Sequence, residues 1–161
     1  MTTTLPRRSP EEQARLDAAL VDLCERRMRF NQVIGIRVNS LDRQGITFSF
    51  DMRPDLVGHD QYERLHGGVI ASTLDALGGA SLMHAIGEKH ADESTEQVMH
   101  RYARMGTIDL RIDYLRPGLG RHFVASAQVT RLGGRIGSTQ MRLVNEHGTL
   151  IATGSAAYVI S

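Results

Sequence analysis

His66-Gly67-Gly68-Val69-Ile70-Ala71-Ser72-Thr73-Leu74-Asp75-Ala76-Leu77-Gly78-Gly79-Ala80-Ser81-Leu82-Met83-His84-Ala85-Ile86-Gly87 is the stretch from which the fold is read. From Gly67 to about Gly87 it has helical length, about 30 Å at about 1.5 Å per residue. It is apolar nearly all round, which marks a buried helix rather than a surface one. Gly78-Gly79-Ala80-Ser81 in its middle weakens helix propensity by roughly 1 kcal/mol per glycine, a loss that close packing against another backbone offsets. The glycine pair that opens the helix exposes backbone N–H groups to a bound ligand. Asp75, nine residues after His66, sets a carboxylate among apolar neighbours.

On either side of this helix the period changes from helical to alternating. Ile34, Ile36 and Val38 alternate with Gly35, Arg37 and Asn39. After a turn at Asp42-Arg43-Gln44-Gly45, the residues Ile46, Phe48, Phe50 and Met52 alternate with Thr47, Ser49 and Asp51, so a hairpin with one buried face is expected. Pro54 and Gly58 break the pattern, and a polar loop from His59 to Arg64 leads into the glycine pair. Beyond the helix, Glu88 to Arg104 is polar and reads as a loop with room for a short helix.

The last third is all strand. Ile108, Leu110, Ile112 and Tyr114 alternate with Thr107, Asp109, Arg111 and Asp113; after Arg116-Pro117-Gly118, the next inward face is Phe123, Ala125, Ala127 and Val129. Gly133-Gly134 turns the chain into a strand with Met141 and Leu143, and Asn145-Glu146-His147-Gly148 turns it into Leu150 to Ile160. Two strands before the helix and about four after it can bury its circumference only if the sheet curls around it. The class is therefore α+β, a curved antiparallel sheet wrapped around one long helix. An extra N-terminal helix, about 10–29, starts at the cap Ser9-Pro10-Glu11-Glu12 and carries Leu16, Ala19, Leu20, Leu23 and Arg27 on one stripe.

The 161 residues read as one domain, 1–161, 41% hydrophobic and 23% charged with a net charge of +1. Lys89 is the only lysine and the arginines are spread among acidic neighbours, which argues against a nucleic-acid partner. Cys24 alone excludes an intramolecular disulfide and fits a reducing compartment. Met1 to Pro10 has no apolar core of a leader, and no membrane insertion is expected. A cytoplasmic location is the expectation. His84, His90 and His100 have no evident partners for a metal, and no metal or cofactor is expected.

Leu65-His66-Gly67-Gly68, Asp75, the segment Thr107-Ile108-Asp109-Leu110-Arg111-Ile112-Asp113-Tyr114-Leu115-Arg116-Pro117-Gly118 and the turn Gly133-Gly134-Arg135 agree in order and spacing with one family. From roughly Phe30 to Ser161 the chain resembles the hotdog-fold acyl-CoA thioesterases of the PaaI type, within them the YigI-like subgroup. The resemblance implies hydrolysis of an acyl-CoA thioester, with medium- to long-chain acyl groups favoured by the subgroup and CoA as part of the substrate. It implies that the Gly67 backbone N–H polarises the thioester carbonyl and that Asp75 acts as general base on water or as nucleophile. Such an N–H, at the positive end of a helix, stabilises the oxyanion of tetrahedral addition without reorganising. Related enzymes often carry an asparagine six or seven residues before the histidine, where this chain has Asp60 and His59. With Gly68, these stand as substrate-side candidates; His66 is read as fixing the loop through a ring hydrogen bond rather than as acid or base. Arg116, Arg131 and Arg135, at strand ends and turns, are candidates for the CoA phosphates, and Leu74, Met83, Phe48 and Phe50 for the acyl pocket.

Gly67 and Asp75 are eight residues apart, about 12 Å along a helix, yet both must reach one reacting centre within roughly 3 Å. One chain cannot supply both. A two-fold dimer with antiparallel helices would set Asp75 of one chain beside Gly67 of the other, twice, so an obligate homodimer is expected, with pairing into a tetramer left open. The alternatives are an acyl-CoA hydratase or dehydratase on the same fold, and a non-catalytic acyl-CoA binder. The hydratase signature is not visible. The single helix near Pro10 to Arg29 is too short for the helix-turn-helix that a sensor would carry.

Overall fold

The computed structural model describes residues 7–42 and 45–161. Among the described residues eight strands follow in chain order: β1 (Arg37–Asp42), β2 (Gly45–Asp51), β3 (Val57–His59), β4 (Arg64–Leu65), β5 (Gly106–Tyr114), β6 (His122–Leu132), β7 (Ile136–Asn145) and β8 (Leu150–Val159). Six of them form one antiparallel sheet in the order β1-β2-β6-β7-β8-β5, and β3 pairs with β4 in a small separate hairpin. The helices are α1 (Pro10–Asp22), α2 (Arg29–Ile34), α3 (Gly67–Lys89) and α4 (Thr95–Tyr102). Long α3 packs on the sheet, as the all-round apolar pattern requires.

Cross-strand pairing explains where the helix sits. Phe50, Phe48 and Ile46 on β2 stand opposite Phe123, Ala125 and Ala127 on β6, and the Phe50 and Phe123 rings stack 5.2 Å apart. The two alanines leave room over β6 for α3. On β7 the same need falls on Gly137, where a Cβ would lie 2.5 Å from Leu82 Cδ2. Leu74, Phe48 and Phe50 are fully enclosed and Met83 is buried, so the residues expected to wall an acyl pocket are core. By length and composition α3 is apolar enough to cross a membrane, yet 56% of its most apolar 18-residue stretch is buried inside the protein.

Several boundaries differ from the sequence reading, each for a physical reason. The N-terminal helix starts as expected, with the Ser9 hydroxyl accepting from the Glu12 N–H at 3.2 Å, but it passes through a π-helical turn at Leu23–Arg27 and breaks at Met28. The short helix α2 follows and ends at Gly35, whose φ is +82°. The Ile34-Ile36-Val38 alternation was therefore half helical, and the first strand begins at Arg37. Asn31 closes the defect: its side-chain amide donates to the Cys24 carbonyl at 2.9 Å. Of the hairpin turn, Arg43 and Gln44 lie outside the described residues. The polar segment after α3 holds α4, started by a capping box between Ser94 and Gln97. Arg8 ties the two ends of this layer together by donating to the carbonyls of Gly87, His90 and Glu93.

β5 departs from simple alternation. Thr107 pairs with Tyr158 and Asp109 with Ala157, so Ile108 is an extra residue in the ladder. Ile108, expected inward, is 57% exposed. A bulge of this kind reverses which face the preceding residue presents. Thr107 and Tyr114, seven residues apart, consequently both reach α3.

Candidate active site

The first turn of α3 is built by its neighbours. His66 is the N-cap, and its Nδ1 accepts from the Gly68 N–H at 2.9 Å, which requires a neutral ring with its proton on Nε2. The His66 N–H donates to the Leu56 carbonyl at 2.8 Å and the Leu65 N–H to the Gly118 carbonyl at 2.9 Å, fixing the entry to the helix. Gly58 lies against this entry, where a Cβ would stand 2.5 Å from His66 Cα. Tyr114, at the end of β5, donates from its hydroxyl to the Gly67 carbonyl at 3.0 Å. Among the described residues no acceptor meets the Gly67 N–H. A helix N-terminus with one cap satisfied and the first N–H open offers a fixed donor to a carbonyl oxygen.

Asp75 is half-buried, two turns further along α3. Thr107 of β5 donates to its Oδ1 at 2.9 Å. Tyr158 of β8 lies within reach of two oxygens of the same residue, donating to the main-chain carbonyl at 2.8 Å and lying 3.3 Å from Oδ1. Both side-chain contacts fall on Oδ1, and among the described residues Oδ2 has no partner. Burial and the adjacent carboxylate push the Tyr158 hydroxyl well above its ordinary range, so it is a neutral donor. Gly78 makes the approach possible: a methyl group there would fall on the Tyr158 hydroxyl, 2.7 Å from Met141 Sδ and 2.9 Å from Thr139 Oγ1. The mid-helix glycine thus serves a close approach, from a tyrosine side chain rather than from another backbone.

The remaining candidates do not gather around one point. His59 Nδ1 is shielded from solvent, has no hydrogen-bond partner among the described residues and stands 3.8 Å from Asp60 Oδ1. The Asp60 side chain is 99% exposed. Arg116 donates to the Leu150 carbonyl at 3.0 Å, at the start of β8. Arg131 and Arg135 flank the β6–β7 turn, where the Arg135 carbonyl accepts from the Ile160 N–H beyond the other end of β8. These two groups of arginines are separated by the length of a strand, about 30 Å at roughly 3.3 Å per residue. The Gly67 end of α3 lies with Arg116, and the Asp75 side lies nearer Arg135.

Thr107 and Tyr158 were not singled out from the sequence. They lie 32 and 83 residues from Asp75, and a hydroxyl residue in an alternating strand carries no positional signal. Gly78 was the available hint, since a glycine inside a buried helix asks what approaches it.

The family model of the thioesterase superfamily matches residues 62–152, more than half of the chain. The chain belongs to the thioesterase superfamily. Its match spans both the Gly67 turn and Asp75, and the family resemblance read from those segments is borne out. The chain is 36% identical over 133 residues to the medium/long-chain acyl-CoA thioesterase YigI of Escherichia coli K12, covering 83% of this chain and 86% of that protein. A crystal structure from Shewanella oneidensis, described as related to the thioesterase superfamily, is 32% identical with a TM-score of 0.87, covering 96% of this chain and all of that one. A thioesterase family protein from Silicibacter pomeroyi shares the fold at 20% identity, with a TM-score of 0.71 over 88% of this chain and 96% of that one. This thioesterase superfamily member is a thioester hydrolase.

Proposed function

We propose that the enzyme hydrolyses acyl-CoA thioesters to the free acid and CoA, favouring medium- to long-chain acyl groups, at two identical sites of a homodimer. The observation that carries this reading is the arrangement on α3. Among the described residues the Gly67 N–H is open at one end, and Asp75 is anchored away from it to β5 and β8 with Oδ2 free. In each site the partner's Gly67 N–H polarises the thioester carbonyl. Asp75 acts as general base on water or as nucleophile. The similarity to YigI supports the acyl-CoA class and the chain length.

Features of β5 support the two-fold arrangement. It ends the sheet, so one edge of its backbone is unpaired within the chain. Ile108 and Tyr114 stand 57% and 55% exposed beside that edge. With Ile108 as an extra residue, Thr107 and Tyr114 each stand three ladder positions from Arg111. Antiparallel β5-to-β5 pairing about that residue sets Thr107 opposite the partner's Tyr114, and so Asp75 beside the partner's Gly67. The same two-fold brings the partner's Arg116 to the end that carries Arg131 and Arg135, where guanidinium groups suit the CoA phosphates.

A thiol-release assay across acyl-CoA chain lengths, aromatic acyl groups included, tests the substrate class. Asp75→Ala is expected to abolish release while the oligomer stays intact by size-exclusion chromatography. An active Asp75→Ala enzyme would overturn the mechanism, and a preference for short or aromatic acyl groups would overturn the chain-length assignment.

A further inference from the structure

We propose that Tyr158 is a positioning residue for hydrolysis, holding the Asp75 carboxylate and the helix turn beneath it in one fixed geometry through its hydroxyl. The inference rests on Asp75 being the reacting carboxylate.

Tyr158 sits near the end of β8, is 3% exposed, and directs its hydroxyl at α3. A tyrosine hydroxyl has one proton to give. Here it faces two acceptors of the same residue, the Asp75 carbonyl at 2.8 Å and Oδ1 at 3.3 Å. A contact to the carbonyl alone would brace the helix, and a contact to Oδ1 alone would brace the side chain. Meeting both ties the carboxylate rotamer to the backbone that carries it. Thr107 reaches Oδ1 from β5, so two neighbouring strands hold one oxygen and leave Oδ2 to face the water or the thioester carbon.

The niche is shaped for the hydroxyl. The missing side chain at Gly78 is what lets the oxygen approach the helix, with Met141 and Thr139 closing the other sides. Glycine in a helix interior costs about 1 kcal/mol of propensity, and this position gives that cost a purpose. A residue outside the reacting atoms thereby controls kcat by fixing a general base or nucleophile within the narrow range of productive geometries.

The test compares Tyr158→Phe with the wild-type dimer by thiol release, thermal melting and size-exclusion chromatography, with Asp75→Ala in parallel. Phenylalanine keeps the buried ring and removes only the hydroxyl. The expected result is kcat about tenfold lower with KM unchanged, in a folded dimer, as for loss of one hydrogen bond to a charged group that matters at the chemical step. Gly78→Ala, which displaces the hydroxyl by filling its niche, is expected to show the same kcat-only loss. Wild-type kcat in Tyr158→Phe beside an inactive Asp75→Ala overturns the positioning role and leaves the role of Asp75 standing. An active Asp75→Ala overturns the reading beneath it. A rise in KM matching the fall in kcat, or loss of the folded dimer in both variants, marks Tyr158 as structural and also overturns the proposal.

Discussion

Replacing Gly67 by proline removes one hydrogen atom from the proposed site with little effect on the fold. Gly67 is the first residue of α3, after the N-cap His66, and proline is well accepted there because its fixed φ suits the helix and the N–H has no intrahelical partner. His66 has φ −64° and ψ 136°, the extended conformation that a residue before proline prefers. The added Cβ would stand 3.4 Å from Tyr114 Cε1 and 3.5 Å from its hydroxyl, which the exposed end of that side chain can accommodate by a small shift. Lower unfolded-state entropy adds about 0.4–1 kcal/mol of stability. What is lost is the donor. Removal of one oxyanion-hole hydrogen bond lowers kcat by about 10²- to 10³-fold, about 2.7–4 kcal/mol of transition-state stabilisation. The ring also fills the space of the acceptor, so that loss is a lower bound. Steady-state thiol release, with circular dichroism melting as the folding control, measures it. Gly67→Ala, which keeps the N–H, should retain most of the activity. A Gly67→Pro enzyme that melts normally and turns over within a few-fold of wild type would refute the role of this N–H.

Two further outcomes follow from buried groups away from the site. Among the described residues the enclosed Tyr102 hydroxyl has no hydrogen-bond partner, so Tyr102→Phe should remove a desolvation cost of about 1–3 kcal/mol; the melting temperature should rise by about 2–4 °C per kcal/mol, and a fall would contradict that assignment. Burial, with Glu25 nearby, pushes the Cys24 thiol up to about 12. Folding therefore disfavours the thiolate, and this contribution to stability falls as pH rises from the ordinary thiol range towards 12. Cys24 should resist a thiol reagent at pH 8 until the protein unfolds, and rapid labelling of the native enzyme would refute its burial.

The architecture was legible because it depends on patterns long enough to outweigh local exceptions. An apolar circumference over α3 and alternation along β2, β6 and β7 leave few alternatives to a sheet wrapped on a helix. The exceptions were short-range. The alternation from Ile34 to Val38 concealed a helix end, because Gly35 at positive φ stops α2 one residue after Ile34 and both isoleucines are buried whichever element holds them. The bulge at Ile108 was invisible for a similar reason: Ile108 continues an apolar alternation, and only the pairing of Thr107 with Tyr158 shows the insertion. The candidate site was legible as two points on one helix. Its supports were not, since Thr107 and Tyr158 reach Asp75 by sheet topology, and Arg116 is parted from Arg131 and Arg135 only once the strand directions are known.

Subunit complementation addresses the cross-chain site most directly. The Asp75→Ala and Gly67→Pro variants, each expected to be inactive alone, are co-expressed with different affinity tags so that the proposed dimers include mixed ones. Random pairing makes half of the dimers mixed, and a site shared between chains leaves one of the two sites in each mixed dimer intact. The mixture should therefore recover about a quarter of wild-type thiol release, and purified heterodimer about half. Heterodimers that form and remain inactive would show that Gly67 and Asp75 serve the same chain, and would contradict the shared site.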